Sequence, residues 1–130
     1  GAPLQRLINT LISDLLPVAL AHNTRFANEI DASVIINEND LSVIAVIRDL
    51  LYAVVQNSNR GQIHISSERY SDVTVLNIQE RNNYNGYALS YSIGAIEPEA
   101  VSLGGHIGIK GPQQRVTTIS FSFPAIRVAA

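Results

Sequence analysis

Asp40-Leu41-Ser42-Val43-Ile44-Ala45-Val46-Ile47-Arg48-Asp49-Leu50-Leu51-Tyr52-Ala53-Val54-Val55-Gln56, running on into Asn57-Ser58-Asn59-Arg60-Gly61, is the stretch that decides how the rest of this chain is read. Its residues Leu41, Ile44, Ile47, Leu51, Val54 and Val55 recur with the period of one helix face. Asn39 or Asp40 offers a side-chain oxygen to the first free amides, and the polar run from Gln56 to Gly61 supplies the exit. On the N-terminal side, Thr24 to Ile36 carries Phe26, Ile30, Val34, Ile35 and Ile36 among polar residues and reads as one or two short strands, closed by Asn37-Glu38-Asn39. On the C-terminal side, Ile63 and Ile65 alternate with polar neighbours. Val73, Val75, Leu76 and Ile78 follow the turn-like Glu68 to Asp72, which is the pattern of a hairpin.

Beyond the polar turn Arg81 to Gly86, helical spacing returns with Leu89, Ile93, Ile96, Ala100 and Leu103. Pro98 has no amide to donate, so this helix is expected in two pieces. Gly104-Gly105 ends it. Two strands, His106 to Lys110 and Arg115 to Phe123, are joined by Gly111-Pro112-Gln113-Gln114, with Phe121 and Phe123 alternating with Ser120 and Ser122. At the other end of the chain, Leu4, Ile8, Leu11, Leu15 and Val18 form the seam of a further helix, broadened by Leu7, Ile12, Leu16 and Ala19. Pro17 is expected to kink or stop this helix near Leu16. Its stripe has two uses open to it, lying on its own domain's core or serving as a linker or dimerisation helix. Helix, strands, helix, hairpin, helix and hairpin in that order make an α+β chain, a two-layer sandwich of a mixed β-sheet with helices on one face, plus the N-terminal helix.

Composition narrows the classes of function. The 130 residues fit one domain, and 46% hydrophobic against 15% charged residues exclude a disordered chain. Mean hydropathy is +0.13. Nine basic and eleven acidic residues, with Lys110 the one lysine, argue against a nucleic-acid or anionic-membrane surface. The absence of cysteine excludes a disulfide framework, a thiol nucleophile and cysteine-held metals, and suits a reducing, cytoplasmic setting. Apolar runs break within about eight residues, well short of the roughly 20 that a membrane span needs. The start at Gly1 without an initiator Met reads as a piece of a longer chain. His22, His64 and His106 lie far apart, with no ligand spacing, so no metal site is expected. Gly104-Gly105-His106-Ile107-Gly108 precedes a strand, the reverse of a dinucleotide fingerprint, and no Gly-x-Ser-x-Gly elbow is present.

Four segments in order resemble the ATP-binding domain shared by sensor histidine kinases, gyrase-type ATPases, Hsp90 and MutL, over about residues 24 to 124. Asp49-Leu50-Leu51-Tyr52-Ala53-Val54-Val55-Gln56-Asn57-Ser58 is similar to that family's Asn-Leu-Leu-x-Asn-Ala-x-Lys-x-Ser helix. Ile78 to Asn82 stands where the family has an apolar strand ending in Asp-x-Gly. Ala88-Leu89-Ser90-Tyr91-Ser92-Ile93 resembles Gly-Leu-Gly-Leu-Ser-Ile. Gly104-Gly105-His106-Ile107, with Thr117-Thr118-Ile119 through Phe123-Pro124, resembles the closing hairpin. The resemblance divides the chain into an N-terminal helix, 1–22, of linker or dimerisation type, and an ATPase-like domain, 23–130.

What the resemblance implies about chemistry is mostly loss. The family's Mg²⁺-holding Asn is matched by Ala53, which offers no oxygen, although Asp49 one turn earlier has a carboxylate. The phosphate-contacting cation is matched by Gln56. Glu80 stands for the adenine-recognising Asp, Asn82 for the glycine two residues on, and Thr117 keeps the position beside the carboxylate. Ala88 and Ser90 replace phosphate-box glycines, and only residues 83–87 remain where the family has a long mobile lid. Metal ligand, cation, glycines and lid serve one electrostatic task, and a triphosphate held without them leaves buried charges unpaired at several kcal/mol per ion. The expectation is a non-catalytic, pseudo-kinase module of a bacterial-type signal transduction protein. It would have no catalytic residue and no cofactor, would have a vestigial cleft at Asp49, Ala53, Gln56, Glu80, Asn82, Ser90 and Thr117, and would act on a protein partner or a second copy through the N-terminal helix. The alternative is an active ATP- and Mg²⁺-binding catalytic domain of a sensor histidine kinase. Tyr84, Tyr87 and Tyr91 either pack over the short loop or line a small groove in the lid's place.

Overall fold

The computed structural model describes residues 1–125. The elements run β1 (Ala2–Pro3), α1 (Leu4–Ala21), β2 (Arg25–Asn28), β3 (Ile35–Ile36), α2 (Leu41–Gln56), β4 (Gln62–Tyr70), β5 (Val73–Glu80), α3 (Gly86–Ser102), β6 (His106–Lys110) and β7 (Thr117–Pro124). Asp40 caps α2, its carboxylate accepting from the Val43 amide at 3.3 Å. The helix ends at Asn57, before Gly61 admits the next strand.

The main sheet is ordered β2-β4-β5-β7-β6. β2 pairs with β4 in parallel, and the other three pairs are antiparallel, so the sheet is mixed. A parallel pair needs a crossover, and α2 is the helix that supplies it. Along β5, Thr74, Leu76, Ile78 and Glu80 are buried, and along β7 Thr117, Ile119, Phe121 and Phe123 match them on the same face. Their neighbours face outward half-exposed, as Asn77 and Ser120 do, joined by a 2.8 Å hydrogen bond. One face thus takes all three helices and the other stays polar, which is the two-layer α+β sandwich.

Three local expectations are corrected. The buried side of α2 is Val43, Val46, Ile47, Leu50, Leu51, Ala53, Val54 and Val55, whereas Leu41 is 73% exposed. The buried residues of α2 share one core cluster with those of the sheet, and α2 also meets α1 and α3, so its apolar arc is broad and periodicity alone does not fix its extent. α1 does not stop near Leu16 but runs through Pro17 to Ala21, because the proline sits on the exposed side and Ala19, 2% exposed, anchors the last turn in the core. α3 likewise runs unbroken through the exposed Pro98. The carbonyl that each proline leaves without an amide partner, that of Ser13 or Gly94, belongs to an exposed residue, where water can serve it.

α1 lies on the domain's own core, the first of the two uses its stripe left open. Leu4, Ile8, Leu11, Leu15 and Ala19 belong to the same cluster as the buried residues of α2 and the sheet. The two-stranded pairing of β1 with β3, Ala2 opposite Ile36, fastens the start of the helix, and Leu4 donates its amide to the Val34 carbonyl at 2.9 Å. The buried part of its seam, Leu4, Ile8, Leu11 and Leu15, is therefore used within the domain. Ile8→Ala should lower unfolding free energy by about 2–5 kcal/mol, while Leu20→Ala, at a position 74% exposed, should stay within about 0.5 kcal/mol in urea titrations.

Candidate functional site

The carboxylate of Glu80 closes β5 and is 2% exposed, in a chain with few buried polar side chains. Burying a charge-bearing group costs several kcal/mol unless donors surround it, and here the donors are specific. Ser58 Oγ donates to Glu80 Oε2 at 2.6 Å, and the Asn82 amide donates to Oε1 at 2.7 Å. Behind Ser58, Thr24 Oγ1 lies 2.9 Å from Ser58 Oγ, and the Gly61 amide donates to Thr24 Oγ1 at 3.3 Å. Each hydroxyl has one proton: Ser58 spends its own on Glu80, and Thr24 Oγ1 faces two acceptors, Ser58 Oγ and the His22 carbonyl at 3.2 Å. Gly61, Thr24, Ser58 and Glu80 thus form one chain of contacts that ends on the buried carboxylate.

This relay ties three connections together. His22, just past α1, has Nδ1 2.9 Å from the Ser58 carbonyl; a carbonyl only accepts, so that nitrogen carries the proton. The Arg60 amide donates to the His22 carbonyl at 2.9 Å, with Arg60 held at φ 53°, a left-handed conformation that costs a side-chain-bearing residue about 1–2 kcal/mol. Asn82 Nδ2 donates to the Asn59 carbonyl at 3.0 Å, joining the loop after α2 to the loop after β5. Gly61 is required by space: a Cβ there would stand 2.3 Å from Ser58 Oγ and 2.4 Å from Glu80 Oε1.

The structure groups some of the sequence-derived site residues and separates others. Glu80, Asn82 and Thr117 come together, Glu80 pairing with Thr117 across β5 and β7. Thr117 is fully buried, and its hydroxyl donates to the Gly111 carbonyl at 2.7 Å, tying down the β6–β7 turn. Asp49, Ala53 and Gln56 share α2, but Ala53 is 5% exposed whereas Asp49 and Gln56 reach solvent. Asp49 meets Arg48 at 4.0 Å with both more than half exposed, a pairing worth at most about 1 kcal/mol. Ser90 is half-buried in the first turns of α3. One turn past Ala53, Asn57 Nδ2 donates to the Ala53 carbonyl at 2.8 Å and reaches Ser92 Oγ at 3.5 Å, bringing α3 against this end of α2.

The connection between β5 and α3 is the part sequence reasoning did not resolve. It comprises residues 81–85, and Asn83 fixes it. The Asn83 amide donates to the Arg115 carbonyl at 2.8 Å, and Nδ2 donates to the carbonyls of Pro112 at 2.8 Å and Gln114 at 2.9 Å. A Cβ on Gly86 would fall 1.6 Å from the Pro112 carbonyl oxygen, so the backbone touches the β6–β7 turn directly. The segment is a strut. Asn83 lay in plain sight within a polar turn, but its partners are about 30 residues away and no spacing rule points to them. Ser58, quoted only as the end of a helix motif, and Thr24 likewise have partners that no spacing rule points to.

No protein-family model matches the chain, and no curated protein matches it either. Solved structures match over nearly its whole length. The histidine kinase AdeS of Acinetobacter baumannii superposes with a TM-score of 0.76 at 13% identity, over 97% of this chain and 66% of that one. The catalytic domain of the histidine kinase ThkA gives 0.72 at 14% identity, over 95% and 92%. Full-length ShkA in complex with AMPPNP gives 0.75 at 12%, over 99% of this chain but 32% of that one. The fold is that of histidine kinase catalytic domains, and the chain spans about two thirds of AdeS and one third of ShkA.

Two substitutions test the relay. Ser58→Ala removes one donor from a buried carboxylate and should cost about 1–3 kcal/mol of unfolding free energy. Gly61→Ala, which adds a methyl where the carboxylate lies, should cost about 1–3 kcal/mol or more in the same urea titration.

Proposed function

We propose that this chain is a non-catalytic module of a signal transduction protein, with the catalytic-domain fold of a histidine kinase but without its nucleotide chemistry, and that it works by docking. One observation carries this reading: the only carboxylate at the base-recognition position, Glu80, is 2% exposed and holds Ser58 and the Asn82 amide in the fold's own network. Thr117 beside it is equally sealed. The position matched to the Mg²⁺ ligand is the buried methyl of Ala53, and the matched cation is Gln56. Where a lid would close over phosphates, the strut at Asn83 is fastened by three hydrogen bonds to the β6–β7 turn. A ligand carrying three or four negative charges would find an uncharged amide, Gln56, at the matched cation position, with nothing there to offset their desolvation.

The setting we infer is cytoplasmic, beside a protein partner. In support, no helix of the described residues is long and apolar enough to cross a membrane. The similar kinase ThkA has been solved in complex with the response regulator TrrA, and a partner of that class fits a module whose remaining asset is its surface. The alternative, an active ATP-binding domain, draws on the AMPPNP held by ShkA and on the Glu80 and Thr117 pair kept in register.

Differential scanning with millimolar Mg-ATP separates the two. A ligand at 100 times its dissociation constant adds about 2.7 kcal/mol, on the order of 10 °C in Tm for a domain of this size. No shift is expected. A shift of several degrees, or a saturable calorimetric titration, would overturn the proposal. Ala53→Asn combined with Gln56→Lys should not create nucleotide binding on its own, and should cost about 1–3 kcal/mol for the amide placed in a buried site.

A further inference from the structure

α3 is apolar on two opposite sides. Leu89, Ile93 and Ala100 face the core. On the outward side, Tyr87, Tyr91, Gly94, Pro98 and Val101 step by alternate fours and threes and are all exposed, Tyr87 at 78%, Tyr91 at 83% and Val101 at 57%. Tyr84, 60% exposed, extends the row into the preceding loop. That spacing is an interhelical seam, and a helix apolar all round is ordinarily covered all round. No charge lies on the seam itself; Glu97 and Glu99 flank it. At about 200 Å² per aromatic side chain, the three exposed rings present about 450 Å², more than half of the ~800 Å² that one partner gives to a standard interface.

The shape of this face points to its occupant. Its N-terminal half carries the rings, and its C-terminal half carries an open hollow of about 460 Å³ lined by Gly94, Glu97, Pro98, Val101 and Ser102. Projections at one end of a helix and a hollow at the other are self-complementary under a two-fold axis through the middle. The middle is Gly94, where a Cβ would meet nothing within 4 Å, so the fold itself has no need of glycine there. A second helix crossing at that point does, because the missing side chain lets two backbones approach. Antiparallel crossing sets Tyr87 against Val101 and Tyr91 beside Glu97 and Pro98 of the other copy. It also keeps the two Glu97 side chains apart, whereas a parallel crossing would place Glu97 on Glu97.

We infer that this chain forms an antiparallel two-fold dimer through the outward face of α3, with Tyr87 and Tyr91 of each copy filling the hollow beside Pro98 and Val101 of the other. The inference uses a face separate from the Glu80 network and stands whether or not nucleotide binds.

Sedimentation equilibrium from micromolar to several hundred micromolar chain tests it. The wild type should rise from 14.1 kDa toward twice that mass. Gly94→Arg and Tyr91→Glu should each weaken association about tenfold or more, roughly 1.4 kcal/mol. Their Tm should be kept, since both positions face outward, whereas Leu20→Glu on α1 should leave the dimer intact. The chain has no cysteine, so Tyr87→Cys mixed with Val101→Cys should oxidise to a disulfide-linked pair, and neither variant should do so well alone. A wild type that stays monomeric across the range would refute the inference, as would Gly94→Arg associating like the wild type, loss of the dimer in Leu20→Glu, or Val101→Cys linking to itself as readily as to Tyr87→Cys.

Discussion

The carboxylate of Glu80 is the constraint around which this end of the molecule is arranged. A buried acid is tolerable only if protein groups replace the water it has lost, and each donor that does so comes from a different connection. Ser58 follows α2, Asn82 follows β5, and Thr24, behind Ser58, opens the way into β2. The relay therefore fixes where α1 ends, how α2 enters β4 and how β5 leaves the sheet. Gly61 belongs to the same arrangement because any side chain there would occupy the space of the carboxylate. The Glu80 carboxylate is built into the fold, accepting from Ser58 and from the Asn82 amide.

The helical layer adds a second commitment. α2 shares its core cluster with the sheet and meets α1 and α3, and this leaves Ala53 facing protein where the resemblance would set a metal ligand. The link from Asn57 to Ser92 draws α3 over the same region, and the strut at Asn83 holds the beginning of α3 against the β6–β7 turn. With α3 fixed at its start and along α2, its remaining face is directed outward as a row of rings and small residues.

Much of the architecture was legible in the chain. The alternation of Ile63 with Ile65 and of Phe121 with Phe123, and the helical spacing around Ile47 and Ile93, are enough to order the elements and to set the helices on one face of a mixed sheet. The exceptions share a cause. Pro17 and Pro98 were read as breaks by a rule about the backbone alone, but each sits on the solvent side with buried residues beyond it, so packing carries the helix through. The face of α2 was read as starting at Leu41, which is exposed, although Ile47, Leu51, Val54 and Val55 of the same face are buried. Of the site residues, Glu80, Asn82 and Thr117 lie in one neighbourhood, Glu80 opposite Thr117 and bonded to the Asn82 amide. That their polar atoms bond to Ser58, Asn59 and Gly111 was not legible, since those bonds join residues six to more than twenty positions apart with no periodicity between them.

By itself, the sequence determined what kinds of residue stand at each position of a histidine kinase-like sandwich: a methyl at Ala53, an amide at Gln56, a carboxylate at Glu80 and five residues where a lid would be. These are local chemical facts, fixed residue by residue whatever the packing. Only the tertiary structure decided how those residues are used, because burial and hydrogen-bond direction depend on what the rest of the chain brings alongside. It closed Glu80 into a buried hydrogen-bond network, placed Ala53 beneath solvent's reach, and left Tyr87, Tyr91 and Val101 exposed on the side of α3 away from Leu89, Ile93 and Ala100.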